Sequence, residues 1–175
     1  QRNIRAVVHG DDFTVLGHER ELDWFWRTIQ KRFDCKLRGR LGPSEGDDKS
    51  IRILNRIITW TEEGIFYEGD QRHVEIASDA VGFNDRTRSV VTPAEKSKLE
   101  ENKLTVLDKR DATKYRGLVA RFNYLGQDRS DIQYAVKELG SAMASPTNLD
   151  MVRVKRCIRY LIGVPRCIVP FKYQR

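Results

Sequence analysis

The sequence has no long apolar run, few cysteines and none of the common catalytic motifs. No stretch approaches the roughly 20 apolar residues that a membrane-spanning helix needs, so we expect no membrane partner. Three cysteines form no C-x-x-C pair and three histidines fit no zinc spacing, which indicates reduced thiols and an intracellular setting. There is no P-loop, no G-x-S-x-G and no H-E-x-x-H, which leaves no common NTPase, serine hydrolase or zinc protease motif.

The composition is typical of a globular chain with an uneven charge distribution. Of 175 residues, 39% are hydrophobic and 33% are charged, which suits one ordinary domain or two small lobes. The net charge is +7, and residues 114–175 alone carry 12 basic and 4 acidic residues, or +8. A basic region of this kind indicates a polyanionic partner, most simply nucleic acid. On charge alone, an ordinary solvated basic face explains it equally well.

The first 70 residues predict two β-hairpins separated by a helix. Ile4–Val8 and Phe13–Leu16 are β-prone runs on either side of an acidic turn. Glu19–Phe33 has apolar residues at helical spacing, and its aromatic residues are expected in a core. Ile51–Trp60 and Ile65–Tyr67 predict the second hairpin. The chain opens at a predicted strand without an initiator methionine, and we expect it to be a fragment of something longer.

The remainder predicts helices joined by a polar connector. Arg72–Val81 predicts a short helix, and 84–107 is a connector broken by a proline. Three amphipathic helices are predicted over Asp111–Leu125, Ser130–Met143 and Thr147–Ile162. Their predicted inward residues are Tyr115, Leu118, Val119, Phe122, Leu125, Ile132, Ala135, Val136, Leu139, Met143, Met151, Val154, Ile158 and Leu161.

The acidic pair Asp11-Asp12 is the strongest candidate for chemistry. Adjacent carboxylates at a bend can offer oxygens to a hard cation such as Mg²⁺, and polymerases use such carboxylates to hold two metals. Glycine and aspartate are also favoured turn residues for backbone reasons, so the tripeptide alone favours a plain turn. A second Gly-Asp-Asp, Gly46-Asp47-Asp48, lies in polar sequence and lacks the flanking apolar runs. Those runs favour the first pair as a site, because ionised acids beside a buried ribbon need a partner.

The order of these segments resembles Ty1/copia-type retrotransposon reverse transcriptases. V-V-H-G-D-D-F-T-V-L-G is similar to the polymerase motif C hairpin, and R-F-D-C-K-L-R-G-R-L-G to the stretch around motif D. I-R-I-L-N-R-I-I-T-W-T-E-E-G-I-F-Y resembles the primer-grip hairpin. The C-terminal segments K-Y-R-G-L-V-A-R-F-N-Y-L, R-S-D-I-Q-Y-A-V-K-E-L, M-A-S-P-T-N and V-K-R-C-I-R-Y-L-I-G carry the most specific part of the resemblance.

The resemblance implies an α+β fold: a partial polymerase palm over residues 1–70, then a helical thumb and connection region over 71–175. It implies RNA-directed DNA polymerase activity in the intact Pol polyprotein, with Mg²⁺ (or Mn²⁺) as cofactor and template-primer and dNTP as partners. Asp11 and Asp12 would be the catalytic metal ligands, with Asp11 the stronger candidate. Leu54, Asn55 and Arg56 would lie near the primer grip. The implied location is a cytoplasmic retroelement particle or the nucleus.

The helix predicted over Thr147–Ile162 adds a cationic face. Its outward positions include Arg153, Lys155, Arg156 and Arg159, which we expect to contact backbone phosphates without reading bases.

The sequence departs from the family at several points. His9-Gly10 replaces the usual aromatic and hydrophobic residues, and Ser130 stands where proline is common. The Gly-Asp-Asp form is more typical of viral RNA-dependent RNA polymerases, the nearest rival among enzymes. The fingers, the motif A aspartate and the RNase H domain have no counterpart here, so the fragment alone is expected to be inactive. A non-catalytic nucleic-acid-binding module from a decayed or repurposed element, or a helical scaffold with an incidental acidic turn, stays open.

Overall fold

A computed structural model describes residues 2–69, 71–84, 86–95 and 104–174, and the chain divides into two compact units. The first unit extends to Arg40 and the second begins at Leu41. Among the described residues, no helix is both long and apolar enough to cross a bilayer.

The first unit is a hairpin followed by one helix. Strand β1 (Ile4–His9) pairs antiparallel with β2 (Asp12–Gly17), which confirms the predicted hairpin. Helix α1 (Glu19–Ile29) ends four residues before the predicted end at Phe33. None of the residues of α1 is buried, so its aromatic side chains are half-buried or exposed rather than in a core as predicted.

The second unit contains a four-stranded antiparallel sheet. Its strands are β3 (Ser50–Ile53), β4 (Arg56–Thr61), β5 (Gly64–Gly69) and β6 (Ile168–Lys172), in that spatial order. The prediction of one strand over 51–60 was wrong, because a two-residue turn divides it. Both turn residues have positive φ, 49° at position 54 and 62° at position 55, as a type I′ hairpin turn requires.

The last strand links the two ends of the second unit. Strand β6 was not predicted, and it pairs with β5 from Gly64↔Lys172 to Glu68↔Ile168. The predicted boundary at 70/71 therefore lies inside the second unit, since strands from both sides of it share one sheet.

Five helices are present in the described part of the chain, and four of them belong to the second unit. Helix α2 is Arg72–Ala80, α3 is Lys109–Leu125, α4 is Gln133–Ser141 and α5 is Asn148–Gly163. A 3-10 turn over Ser130–Ile132 precedes α4 and accounts for the early start predicted for that helix. These helices confirm the predicted ones within a few residues. Parts of the predicted connector, position 85 and positions 96–103, lie outside the described residues.

Helix ends follow from local chemistry. The Asp108 carboxylate accepts a hydrogen bond from the backbone N–H of Asp111 at the start of α3. Thr147 and Asp150 form a reciprocal capping box at the start of α5, which satisfies donors that the first turn leaves unpaired. The predicted start of this helix near Pro146 therefore has a physical cause.

The helices α2 to α5 supply the hydrophobic core of the second unit. All the predicted inward residues of α3, α4 and α5 are buried except two methionines, Met143 and Met151, which pack partly buried against the same core. The helical period of 3.6 residues thus identified the core correctly.

A buried arginine ties the end of α5 to the start of α4. Arg129 is 2% exposed, and its guanidinium donates to both carboxylate oxygens of Asp131 at 2.9 and 2.7 Å. It also donates to the backbone carbonyls of Val164 and Pro165, which follow the last turn of α5. Burial alone would raise the pKa of Asp131, but hydrogen bonds from Arg129 and Tyr160 hold it below its ordinary value.

A second ion pair connects the segment after α5 to the sheet. Arg166 donates to both oxygens of the buried Glu68 carboxylate, at 2.9 and 2.7 Å. These hydrogen bonds lower the pKa of Glu68, and a further one comes from Gln71. This bidentate pair fixes the path of the segment between α5 and β6, because it holds Arg166 against Glu68 of β5.

Candidate metal-binding hairpin and basic groove

The hairpin tip of the first unit presents the two predicted acids. His9 and Asp12 face each other as the last pair of the ladder, so Gly10 and Asp11 form a two-residue loop. Gly10 has φ of 61°, as the first loop position of a type II′ turn requires, and glycine adopts that conformation without strain. This turn therefore places Asp11 in the loop and Asp12 at the first position of β2.

The electrostatic surroundings of the pair are open. The Asp12 carboxylate lies 3.9 Å from the guanidinium of Arg38, and both side chains are at least half exposed. An exposed pair at that distance contributes little and leaves the carboxylate able to take another partner. Asp11 is also exposed.

Two carboxylates fit a hard cation but do not complete its ligand set. Mg²⁺ prefers six oxygens in octahedral geometry and usually keeps several waters beside one or two carboxylates. No group of three or more histidine, cysteine, aspartate or glutamate side chains is placed to hold a metal among the residues that the structure describes. The donor chemistry of Asp11 and Asp12 therefore suits part of a metal site.

The second Gly-Asp-Asp has a different local structure. The Asp47 carboxylate accepts a hydrogen bond from the backbone N–H of Ser44 at 3.0 Å, closing a tight turn. The backbone carbonyl of Asp48 accepts from Gly42 N–H. Here the acidic residues close a loop on itself, whereas the first pair stands at the end of a β-ladder.

The residues predicted near a primer grip form the β3–β4 turn and its edge. Arg56 Nε donates to the Tyr67 hydroxyl at 2.9 Å and to Asp128 at 3.2 Å, so its charge is used inside the second unit. The carbonyl of Leu54 accepts hydrogen bonds from Arg56 and from the Tyr124 hydroxyl.

The other side of this turn is held by α2. The Asn55 side-chain oxygen accepts from Arg72 at 3.0 Å. The left-handed backbone at 54 and 55 is thus stabilised by contacts from α2 and α3, which could not be read from a strand-like sequence.

A groove in the second unit brings together all four predicted phosphate contacts. It has a volume of about 1450 Å³ and lies between α4, α5 and residues 87–95, with Phe83 also in its lining. Five basic residues line it, namely Arg88, Arg153, Lys155, Arg156 and Arg159. Among the described residues that line it, two are acidic, Glu95 and Glu138, so the described part of the lining carries a net positive charge.

The four cations of α5 are not equivalent. Arg156 forms an ion pair with Glu95 at 2.7 Å and donates to the Thr92 hydroxyl at 2.9 Å. Arg159 Nε donates to the backbone carbonyl of Arg88 at 2.6 Å. These two side chains hold residues 88–95 against α5.

The other two cations face solvent. Lys155 is exposed, and Arg153 is exposed while pairing with Asp150 at 3.1 Å within its own helix. The pair with Asp150 is local and leaves the guanidinium accessible. Arg153 and Lys155 are therefore the cations of this set best placed for an external anion.

Comparison with known proteins finds partial similarity to retrotransposon polyproteins. The chain is 46% identical over 55 residues to the Retrovirus-related Pol polyprotein from transposon RE1 of Arabidopsis thaliana. It is 44% identical over 55 residues to the corresponding polyprotein from transposon RE2 of the same plant. Each match covers 31% of this chain and 4% of the relative. No protein-family model matches the chain, and no solved structure matches it. The similarity supports a fragment of a retrotransposon Pol polyprotein.

Proposed function

We propose that this chain is the C-terminal part of the reverse transcriptase domain of a copia-type retrotransposon Pol polyprotein. The observation that carries the proposal is the type II′ turn at Gly10, which sets Asp11 and Asp12 at the exposed end of a β-hairpin. The similarity to Pol polyproteins supports the same assignment. In this proposal the first unit is part of the palm, and the second carries the primer-grip hairpin and the thumb and connection helices.

Asp11 and Asp12 would hold Mg²⁺ or Mn²⁺ together with a carboxylate from another part of the polyprotein. When bound, the metal supplies activation of the primer 3′-hydroxyl and neutralises charge on the dNTP phosphates. Asp11 lies in the loop itself and is the stronger candidate for direct ligation. Asp12 has Arg38 beside it, and this cation offsets part of the repulsion between the two adjacent carboxylates.

The second unit would supply contacts to the template-primer. Arg153 and Lys155 are exposed on α5 and would neutralise backbone phosphates, which positions the nucleic acid without reading its sequence. The turn at Leu54 and Asn55 would lie near the primer, and Arg56 would hold that turn through its pair with Asp128 rather than touch the primer itself.

Primer extension tests the proposal in two proteins, the 175-residue chain and a longer Pol segment that includes the upstream motif A aspartate. We expect no extension by the chain alone with Mg²⁺ or Mn²⁺, because one carboxylate and most of the dNTP pocket are missing. We expect extension by the longer segment.

Two results would contradict this account. Extension by the isolated chain would show that its two acids suffice. A longer segment that binds template-primer but never extends it would favour the non-catalytic nucleic-acid-binding alternative.

A further inference from the structure

We propose that the groove between α4, α5 and residues 87–95, with Phe83 in its lining, binds single-stranded nucleic acid, with Tyr134 as the stacking surface for an unpaired base. This inference deepens the proposed function, because it specifies which form of nucleic acid the second unit holds and where. The groove proposal is tested by nucleic-acid binding alone, so it can be contradicted while the proposed polymerase function is not.

The lining of the groove suits unpaired bases better than a double helix. Apolar side chains line the groove together with its cations, among them Phe83, Pro93, Leu149 and Val152. A duplex presents phosphates outward and keeps its bases stacked inside, so it gains little from an apolar surface. A single strand can turn its bases toward such a surface while its phosphates meet the cations.

Tyr134 is the aromatic residue placed to stack. It lies on α4, lines the groove and is 68% exposed, although aromatic side chains of a core-forming helix usually pack inward. The ammonium of Lys137 lies 5.9 Å from its ring centroid, which adds positive charge beside the ring. A base stacked on this ring would have its phosphate within the field of the groove cations.

The cations of the groove divide into accessible and occupied ones. Arg153 and Lys155 are exposed, whereas Arg156 is held by Glu95 and Thr92. Glu95 therefore places a carboxylate on a cation that a phosphate could otherwise contact. Glu95→Gln should free Arg156 and raise the affinity for a single strand.

The stacking part of the proposal is tested by fluorescence anisotropy with a labelled 12-nucleotide oligo-dT, a 12-base-pair duplex and poly-glutamate. We expect Tyr134→Leu to weaken oligo-dT binding about tenfold and duplex binding much less. Tyr134→Phe retains the ring and should stay within about twofold of the parent chain. Equal losses for both substitutions, or tighter binding of the duplex than of oligo-dT, would overturn the proposal. Preferential binding of poly-glutamate would also overturn it and indicate an acidic peptide.

The charge part is tested by the salt dependence of oligo-dT binding. The double substitution Arg153→Gln/Lys155→Gln should reduce the slope of log affinity against log salt by about 1.4, because each neutralised single-strand phosphate contributes about 0.7. The matched control is Arg110→Gln/Lys114→Gln, which removes two exposed charges from α3 outside the groove lining. The control should leave most of the slope intact, and an equal loss of slope in the control would contradict the site.

The substitution Glu95→Gln should tighten oligo-dT binding at least about twofold. Weaker binding by Glu95→Gln would contradict the site. Thermal unfolding of each variant separates these effects from misfolding.

Discussion

Asp11→Asn, placed in a Pol segment that extends primers, should lower the extension rate by roughly 10³-fold or more. The substitution keeps the shape of the side chain but removes the charge that, in the proposed function, would hold a divalent cation at the reacting phosphate. A bound metal contributes several kcal/mol by stabilising the negative charge of the transition state, and each 1.36 kcal/mol corresponds to about a factor of ten in rate. Template-primer affinity should change by about twofold or less, since phosphate contacts elsewhere position the nucleic acid.

Asp48→Asn is the matched control, because Asp48 ends the other Gly-Asp-Asp of the chain and is also exposed. Its backbone carbonyl accepts a hydrogen bond from the Gly42 N–H. We expect it to leave the extension rate nearly unchanged. Similar losses of extension rate from both substitutions would mean that the total negative charge of the chain, and not a site at the hairpin tip, supports the reaction.

Arg129→Gln should destabilise the chain by about 3 kcal/mol. The substitution leaves the Asp131 carboxylate without its cation and removes donors from the carbonyls of Val164 and Pro165. Removing one partner of a largely buried pair costs more than the pair contributes net, because the remaining Asp131 carboxylate, with a side chain 24% exposed, stays partly desolvated. Urea unfolding followed by circular dichroism measures the loss.

Arg116→Gln provides the comparison for this effect. Arg116 also donates to two backbone carbonyls, those of Met143 and Ala144, but it is exposed and water can replace it. We expect a loss below about 1 kcal/mol. Equal losses for Arg116→Gln and Arg129→Gln would show that burial of the Arg129–Asp131 pair is not the cause.

The helices could be predicted because their apolar spacing and their caps are local. The strands of the second unit could not all be predicted. A leucine at position 54 gives no turn signal. The positive φ there is stabilised by hydrogen bonds to the Leu54 carbonyl from Arg56, two residues later, and from Tyr124, which is distant in sequence. Strand β6 contains Pro170 and pairs with β5, about 100 residues earlier, and proline suits its place at the sheet edge.

The candidate site shows the same division. The acidic pair could be found from the sequence, since its turn and flanking strands are contiguous. The partners of the basic residues could not be found from the sequence, because Arg56 contacts Asp128 and Arg156 contacts Glu95 only after folding. A count of basic residues on a helix face therefore overstates the number available to a ligand. Arg129 was missed for the same reason, since charged residues are expected at the surface unless a partner is known.

Nuclear magnetic resonance of the 175-residue chain with substoichiometric Mn²⁺ tests the central claim most directly. Paramagnetic broadening reports which amides lie near the bound cation, without any need for catalysis. We expect the strongest broadening at Gly10, Asp11, Asp12 and Phe13, and its loss in Asp11→Asn/Asp12→Asn. Broadening that is equal or stronger around Gly46-Asp47-Asp48, or that persists in the double variant, would contradict a metal-binding hairpin at the first acidic pair.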